Sequence, residues 1–263
     1  FIAKGVHTVH NEAHLEVSGK LEVELRKFAF KYGFVQPVTI SPESHNSFVN
    51  FYGFDAPLIS NGRMVDATIV VSDDVKHEVD GFKKSSETKV VVQLARFQLA
   101  KNIPMMARVA SRLYRESYDF TLLFIGSTEN TEIVNEVRKL KPPCAHILGE
   151  RHNPLEYLKV ADAFALSSSF EGMPISLLEA LAVGTIPICT PVGGIPNIVV
   201  DSDNGFLSTD ATEAAYYEAM KRFLDSDEDK LKQMSQKAKE SFVPYSMEIC
   251  AEKYVQLYKS ILN

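Results

Sequence analysis

Two hydrophobic patterns alternate along this chain: short continuous apolar runs, which read as buried strands, and amphipathic stretches between them, which read as helices. The first run is GVHTVH at residues 5–10, whose β-branched character predicts a strand, and HNEAH leads from it toward a helical pattern at Lys20 to Lys31. Phe34 to Ile40 predicts a second strand. Ser41, Pro42 and Glu43 then give an N-cap and a first-turn proline for a helix ending near Gly53. A fresh series starts with the strand KVVVQL at 89–94. It continues through the strand DFTLLFIG at 119–126, a helix from Glu129 to Lys141, a strand from His146 to Gly149, a short helix opened by Asn153 and Pro154, and a strand from Ala161 to Leu166. Continuous apolar strands alternating with helices predict an α/β fold with a parallel, doubly wound sheet. Asp73 to Thr88 is polar and poor in apolar periodicity, so it reads as a linker or an exposed excursion, with a domain boundary near residue 80. From Ala211 onward the pattern is helical, with a charged, solvated stretch at Asp225 to Lys239 and an interruption at Pro244 before a last helix, Met247 to Leu262.

The densest stretch runs from Ser167 to Asn197. Pro174 stands where a first-turn proline belongs, ISLLEALAV follows, and Gly184 is placed to end the helix in the left-handed conformation. That helix is apolar almost all round, yet Glu179 lies in its middle; it is either a carboxylate with donors or a residue on a thin solvated strip. Upstream, Glu171, Gly172 and Met173 lead into a helix start whose amides suit an anion. At a rise of ~1.5 Å per residue, Glu179 lies about 7 to 8 Å beyond Pro174 along the axis, close to the span from a diphosphate to a ribose. Arg96 and Lys101 follow the strand at 89–94, at the strand ends where open parallel sheets bind ligands. Two such cations suit a diphosphate, although a bare R-x4-K is equally a solvated surface pair.

The string ADAFALSSSFEGMPISLLEALAVGTIPICTPVGGIPNIVVDSDNG, from Ala161 to Gly205, resembles the retaining GT-B glycosyltransferases of family 4, also called glycosyl transferases group 1. The resemblance implies two Rossmann-like domains with parallel sheets. Residues 1–80 would be a partial N-terminal, acceptor-side domain, 81–245 the nucleotide-sugar domain, and 246–263 a helix crossing back to the first. It implies that Glu171 contacts the donor sugar, that Gly172, Met173, Pro174 and Ile175 hold the diphosphate, that Glu179 binds the ribose, and that Arg96 and Lys101 clamp the leaving group. Gly149 and Glu150 match the turn near the base, and His10, in the string His10–Asn11, matches a histidine facing the sugar, with His7 and His14 as nearby competitors. Gly193 and Gly194 either bring amides toward the phosphates or form a plain strand-to-helix turn. The match departs at Asn197, where many members carry Glu after the proline of the GG-x-P turn.

Composition narrows this picture. A net charge of −6 gives no reason to expect nucleic acid, and the three scattered cysteines, Cys144, Cys189 and Cys250, fit buried free thiols better than disulfides or a zinc site. No apolar run reaches a membrane span and no signal pattern opens the chain, so a cytoplasmic protein is expected. The implied activity is transfer of a hexose from a nucleoside diphosphate sugar to a saccharide or lipid-linked acceptor, in polysaccharide or glycolipid synthesis, with no metal or other cofactor. The alternatives are a catalytically incomplete nucleotide-sugar-binding module and a GT-B nucleotide-sugar epimerase. About eighty residues before the linker are few for a whole first domain, so a fragment is expected, whose missing N-terminal part would carry any peripheral contact with the inner face of a membrane.

Overall fold

A computed structural model describes residues 5–10, 13–140 and 142–262; Asn11 and Lys141, which belong to expected features, lie outside the described residues. Its contacts divide the chain into two units, Phe1–Met64 with Pro244–Asn263, and Val65–Val243. In the first unit β1 (Gly5–Val9) and β2 (Val35–Thr39) pair in parallel, joined through α1 (Lys20–Lys31), and α2 (Pro42–Tyr52) follows. The Ser41 hydroxyl accepts the Ser44 N–H and the Ser44 hydroxyl accepts the Ser41 N–H, each at 3.1 Å, so two amides at the start of α2 find acceptors. Val9, Phe30, Phe48 and Tyr52 close a small aromatic core against these elements. Leu58 adds a single parallel bridge to Thr39.

The second unit begins with α3 (Asp73–Asp80) and then alternates: β3 (Lys89–Leu94), α4 (Ile103–Arg115), β4 (Phe120–Ile125), α5 (Thr131–Leu140), β5 (Ala145–Gly149), α6 (Pro154–Val160), β6 (Ala163–Leu166), α7 (Ile175–Val183), β7 (Ile186–Cys189) and β8 (Phe206–Leu207). Helices α8 (Glu213–Leu224) and α9 (Glu228–Phe242) complete it. The six strands are all parallel, in the order β5-β4-β3-β6-β7-β8. Chain order therefore reverses between β3 and β6, which makes their C-terminal ends the topological switch point of the sheet. The core is apolar on both faces, as continuous strands require, with Val91, Leu122, Phe124, Ala163 and Ile188 buried on one and Val92, Leu123 and Phe164 on the other.

The expected linker at Asp73 to Thr88 is not one. Residues Asp73–Asp80 form α3, whose buried Val75 and Val79 stand four apart on one face, and the unit boundary falls at Met64/Val65 rather than near residue 80. Two apolar positions in a charged octet are a faint helical signal. What fixes α3 lies far along the chain: Arg151 donates to Glu78 at 2.6 Å, and the Tyr157 hydroxyl donates to the same carboxylate.

The last helix, α10 (Met247–Leu262), belongs to the first unit, where the Tyr254 and Thr8 hydroxyls meet at 3.1 Å. It also explains Gly62. A Cβ there would stand 2.6 Å from the Cys250 Cβ and 2.8 Å from the Met247 Cα, so the turn after Asn61 can approach α10 only as glycine.

Candidate functional site at the sheet switch point

The site is built where β3 and β6 end side by side. After β3, the chain runs through exposed Arg96 and buried Phe97 to a single 3-10 turn, Leu99–Lys101; Asn102, left-handed at φ 45°, then redirects it into α4. After β6, the run Ser167, Ser168, Ser169 crosses the sheet end and Phe170 turns Glu171 inward. The two strand ends meet through one ion pair: Lys101 Nζ donates to Glu171 Oε1 at 2.6 Å and to Oε2 at 2.8 Å. Glu171 is only 7% exposed, and the fully buried Ser168 adds a hydroxyl donor at 2.6 Å to Oε1. A carboxylate taken out of water is thus met by a cation and a neutral donor, the condition under which such burial is tolerated. The family resemblance implies contacts of Lys101 and Glu171 with different parts of a ligand; the structure joins them as a pair.

The backbone around Glu171 is held as tightly as its side chain. Gly194 donates its N–H to the Gly172 carbonyl at 2.9 Å, and Gly193 adopts φ 55°, where an added Cβ would lie 1.7 Å from the Glu171 carbonyl oxygen. The Gly-Gly pair is therefore a close-packed support for the Glu171 loop. Of the two readings open in the sequence, the turn is the one seen here: Gly193 and Gly194 lead from β7 into a single 3-10 turn, Ile195–Asn197, and the Gly194 amide is engaged in holding the loop.

Helix α7 starts directly beyond that loop. Pro174 is its N-cap residue and Ile175 its first helical one, and Gly184 ends it at φ 83°. Glu179 is not buried. It is half-exposed on a strip with Ser176 and the 54% exposed Ile175, because positions three and four apart fall on one side of a helix. The open strip runs along α7 from the Gly172–Ile175 start to Glu179. The amides of a first turn have no intrahelical acceptor, and with the helix dipole they favour negative charge at this end.

Arg96 and Glu150 line one cavity of about 330 Å³ together with Gly126 and Ser127, at the ends of β3, β4 and β5. Gly149 closes β5 at φ 71° and leaves Glu150 exposed. Arg151 next to it is drawn the other way, donating to the Leu148 carbonyl and to Glu78 and Tyr157. The Arg151 guanidinium, helped by the Tyr157 hydroxyl, holds Glu78 below the usual carboxylate range against the opposing pull of desolvation. His10 belongs to the first unit, where it follows β1, is exposed, and donates its backbone N–H to Glu16 Oε1 at 2.7 Å. Sequence reading passed over Ser168 and Glu78. A triple serine directly after a buried strand was the signal available for the first; nothing local marked the second.

The family model for glycosyl transferases group 1 matches residues 75–241. The chain belongs to that family. As a member of it, the chain is 26% identical over 207 residues to N-acetyl-alpha-D-glucosaminyl L-malate synthase of Bacillus anthracis, covering 76% of this chain and 52% of that protein. A glycogen synthase of Thermodesulfovibrio yellowstonii is 23% identical over 200 residues, covering 73% of this chain and 40% of its own length. The chain thus spans about half or less of these curated relatives. Among solved structures, Anabaena HepE in complex with UDP superposes with a TM-score of 0.80 at 16% identity, over 97% of this chain and 72% of that one. WaaG, a glycosyltransferase involved in lipopolysaccharide biosynthesis, gives 0.71 at 14% identity, over 96% and 74%. The group 1 fold, α/β with parallel sheets of the GT-B glycosyltransferase kind, is common to them. Among the described residues no helix is long and apolar enough to cross a membrane.

Proposed function

We propose that this chain carries the donor side of a glycosyltransferase that moves a hexose from a nucleoside diphosphate sugar to a saccharide or lipid-linked acceptor with retention of anomeric configuration. The observation that carries the reading is the arrangement at the switch point: a buried Glu171 held by Lys101 and Ser168, set directly before the amide-bearing start of α7. In this reading the diphosphate lies at the first turn of α7, Glu179 meets the ribose, and Glu171 orients the sugar hydroxyls. Arg96 and the third N–H of Lys101 face the leaving group. The bond from the anomeric carbon to the phosphate oxygen breaks while the acceptor oxygen bonds to that carbon on the same face. The acceptor's proton passes to the departing phosphate oxygen. Charge builds positive on the ring and negative on the diphosphate, and fixed cations with oriented amides stabilise it without reorganising and without a metal ion. The reading needs no residue of the first unit.

UDP-sugars are the first donors to try, because the similar Anabaena protein was crystallised with UDP; GDP- and ADP-sugars form the comparison. A ligand bound by the folded state alone raises the melting temperature with its concentration. With the donor so chosen, Arg96→Ala should lower turnover by at least about a hundredfold, the range of deleting one preorganised donor, and product NMR should show the anomeric configuration kept. Near-normal turnover in that variant, or nucleotide binding with no transfer by the wild type to any acceptor, would defeat the reading.

A further inference from the structure

Each residue of the run Ser167–Ser168–Ser169 bonds to one of the two segments that carry the ion pair. Ser167 is fully buried; its hydroxyl lies 3.1 Å from the Lys101 carbonyl and 3.2 Å from that of Asn102. The buried Gln93 amide donates to that same hydroxyl oxygen at 3.2 Å, which leaves the Ser167 proton for the carbonyls. Ser168 points its hydroxyl the other way, to Glu171 Oε1 at 2.6 Å, while its own carbonyl is fixed by the Thr190 hydroxyl at 2.6 Å. The Ser169 N–H donates to the Ala100 carbonyl at 2.8 Å.

From this geometry we infer that the triple serine is the positioning element that registers Lys101 against Glu171: Ser167 fixes the backbone under the lysine and Ser168 fixes the rotamer of the carboxylate. The inference rests on the glycosyltransferase reading for its effect on catalysis, and on the contacts alone for its effect on the pair. Alternation of side chains past a strand end explains why two adjacent serines can serve opposite partners. Serine suits both places, because a short hydroxyl donates within a fully buried space and adds little volume. The left-handed Asn102 puts the Lys101 and Asn102 carbonyls within reach of a single hydroxyl. A lysine on a flexible four-carbon stem gains most from such support, since its ammonium is a point charge with no geometry of its own.

The test uses Ser168→Ala and Ser168→Cys, the second keeping the volume with a weak donor, and Ser167→Ala. Two readouts are taken on the whole chain. In competitive acetylation with acetic anhydride, followed by mass spectrometry, Lys101 should label at least about threefold faster in each variant relative to the distant Lys83, because the pair loosens. In donor kinetics with UDP-sugar, the Ser168 variants, which lose or weaken a hydrogen bond to a charged group, should lower kcat about tenfold or more, while the affinity for UDP alone changes less than about threefold. Unchanged Lys101 labelling in folded Ser168→Cys and Ser167→Ala would overturn the inference. A parallel fall in kcat and UDP affinity, with a lowered melting temperature and unchanged labelling, would show general packing and overturn it too. If the wild type handles no nucleotide sugar yet the labelling shifts as expected, the positioning stands and the transferase reading falls.

Discussion

Two turns at the C-terminal strand ends of one sheet each carry a glutamate with a cation close by, and they use these charges in opposite ways. After β6, Glu171 points inward, is nearly buried, and finds its cation on a neighbouring strand end. After β5, Glu150 stays exposed and the cation beside it, Arg151, is spent on Glu78 of α3. The first turn lies at the switch point, where the connections after β3 and β6 diverge and leave a crevice; the second lies at the edge strand β5, where Arg151 turns away toward α3. Position in the strand order, more than residue type, decides which charged pair belongs to a candidate site and which is a structural tie.

The contrast is broken most severely at Gly193. A Cβ there meets the Glu171 carbonyl oxygen at 1.7 Å, and the left-handed backbone adds its own cost for alanine. Gly193→Ala should destabilise the fold by about 3 kcal/mol in urea unfolding, with nucleotide binding weakened in what remains folded. A loss below about 0.5 kcal/mol, within the scatter of neutral surface changes, would mean that the loop is not held as described.

The ion pairs themselves give the next step down. Lys101→Ala leaves a buried carboxylate with only the Ser168 hydroxyl, and should cost about 2 to 4 kcal/mol, toward the lower end of what breaking a buried pair costs because Lys101 keeps some solvent access. Lys101→Ala combined with Glu171→Gln removes the stranded charge and should recover at least about 1 kcal/mol of that loss. Arg151→Ala, by contrast, frees a partly solvated carboxylate and should cost only about 1 kcal/mol. Equal losses at Lys101 and Arg151 by urea unfolding would erase the distinction between the two turns.

These contrasts separate what could be read from the sequence and what could not. The parallel strands from Lys89 to Leu166 were legible because buried strands are continuous in apolar residues, and the ends of α2 and α7 because Ser41, Gly53 and Gly184 each do one local job. Glu171 and Lys101 stood out through the motif, yet their pairing did not, since it depends on β3 and β6 being neighbours across seventy-odd residues of chain. Glu179 left two readings open because the helix around it is apolar, and the solvated strip is the one found: one strip of a helix can stay open without changing its average. α3 looked like a linker for the reverse reason: its two valines are few, and the partner that orders it, Arg151, comes from beyond β5.

That tie also offers the smallest and most selective probe. Arg151 and Tyr157 keep Glu78 below the ordinary carboxylate range in the folded protein, so its ionised form favours folding. For a depressed carboxylate the contribution is complete above the unfolded value, and it fades as pH falls through the ordinary glutamate range and on through the lower folded value. Glu78 and Arg151 are each about a third exposed, so solvent screening limits the effect to roughly 1 kcal/mol or less. Wild type and Glu78→Gln should therefore differ in urea midpoint at neutral pH and converge on acidification, while Lys101 labelling stays the same in both. A gap that widens toward acid would mean that the Glu78 carboxylate does not stabilise α3 in its charged form. A change at Lys101 would mean that the two turns, held apart here by strand order, are coupled after all.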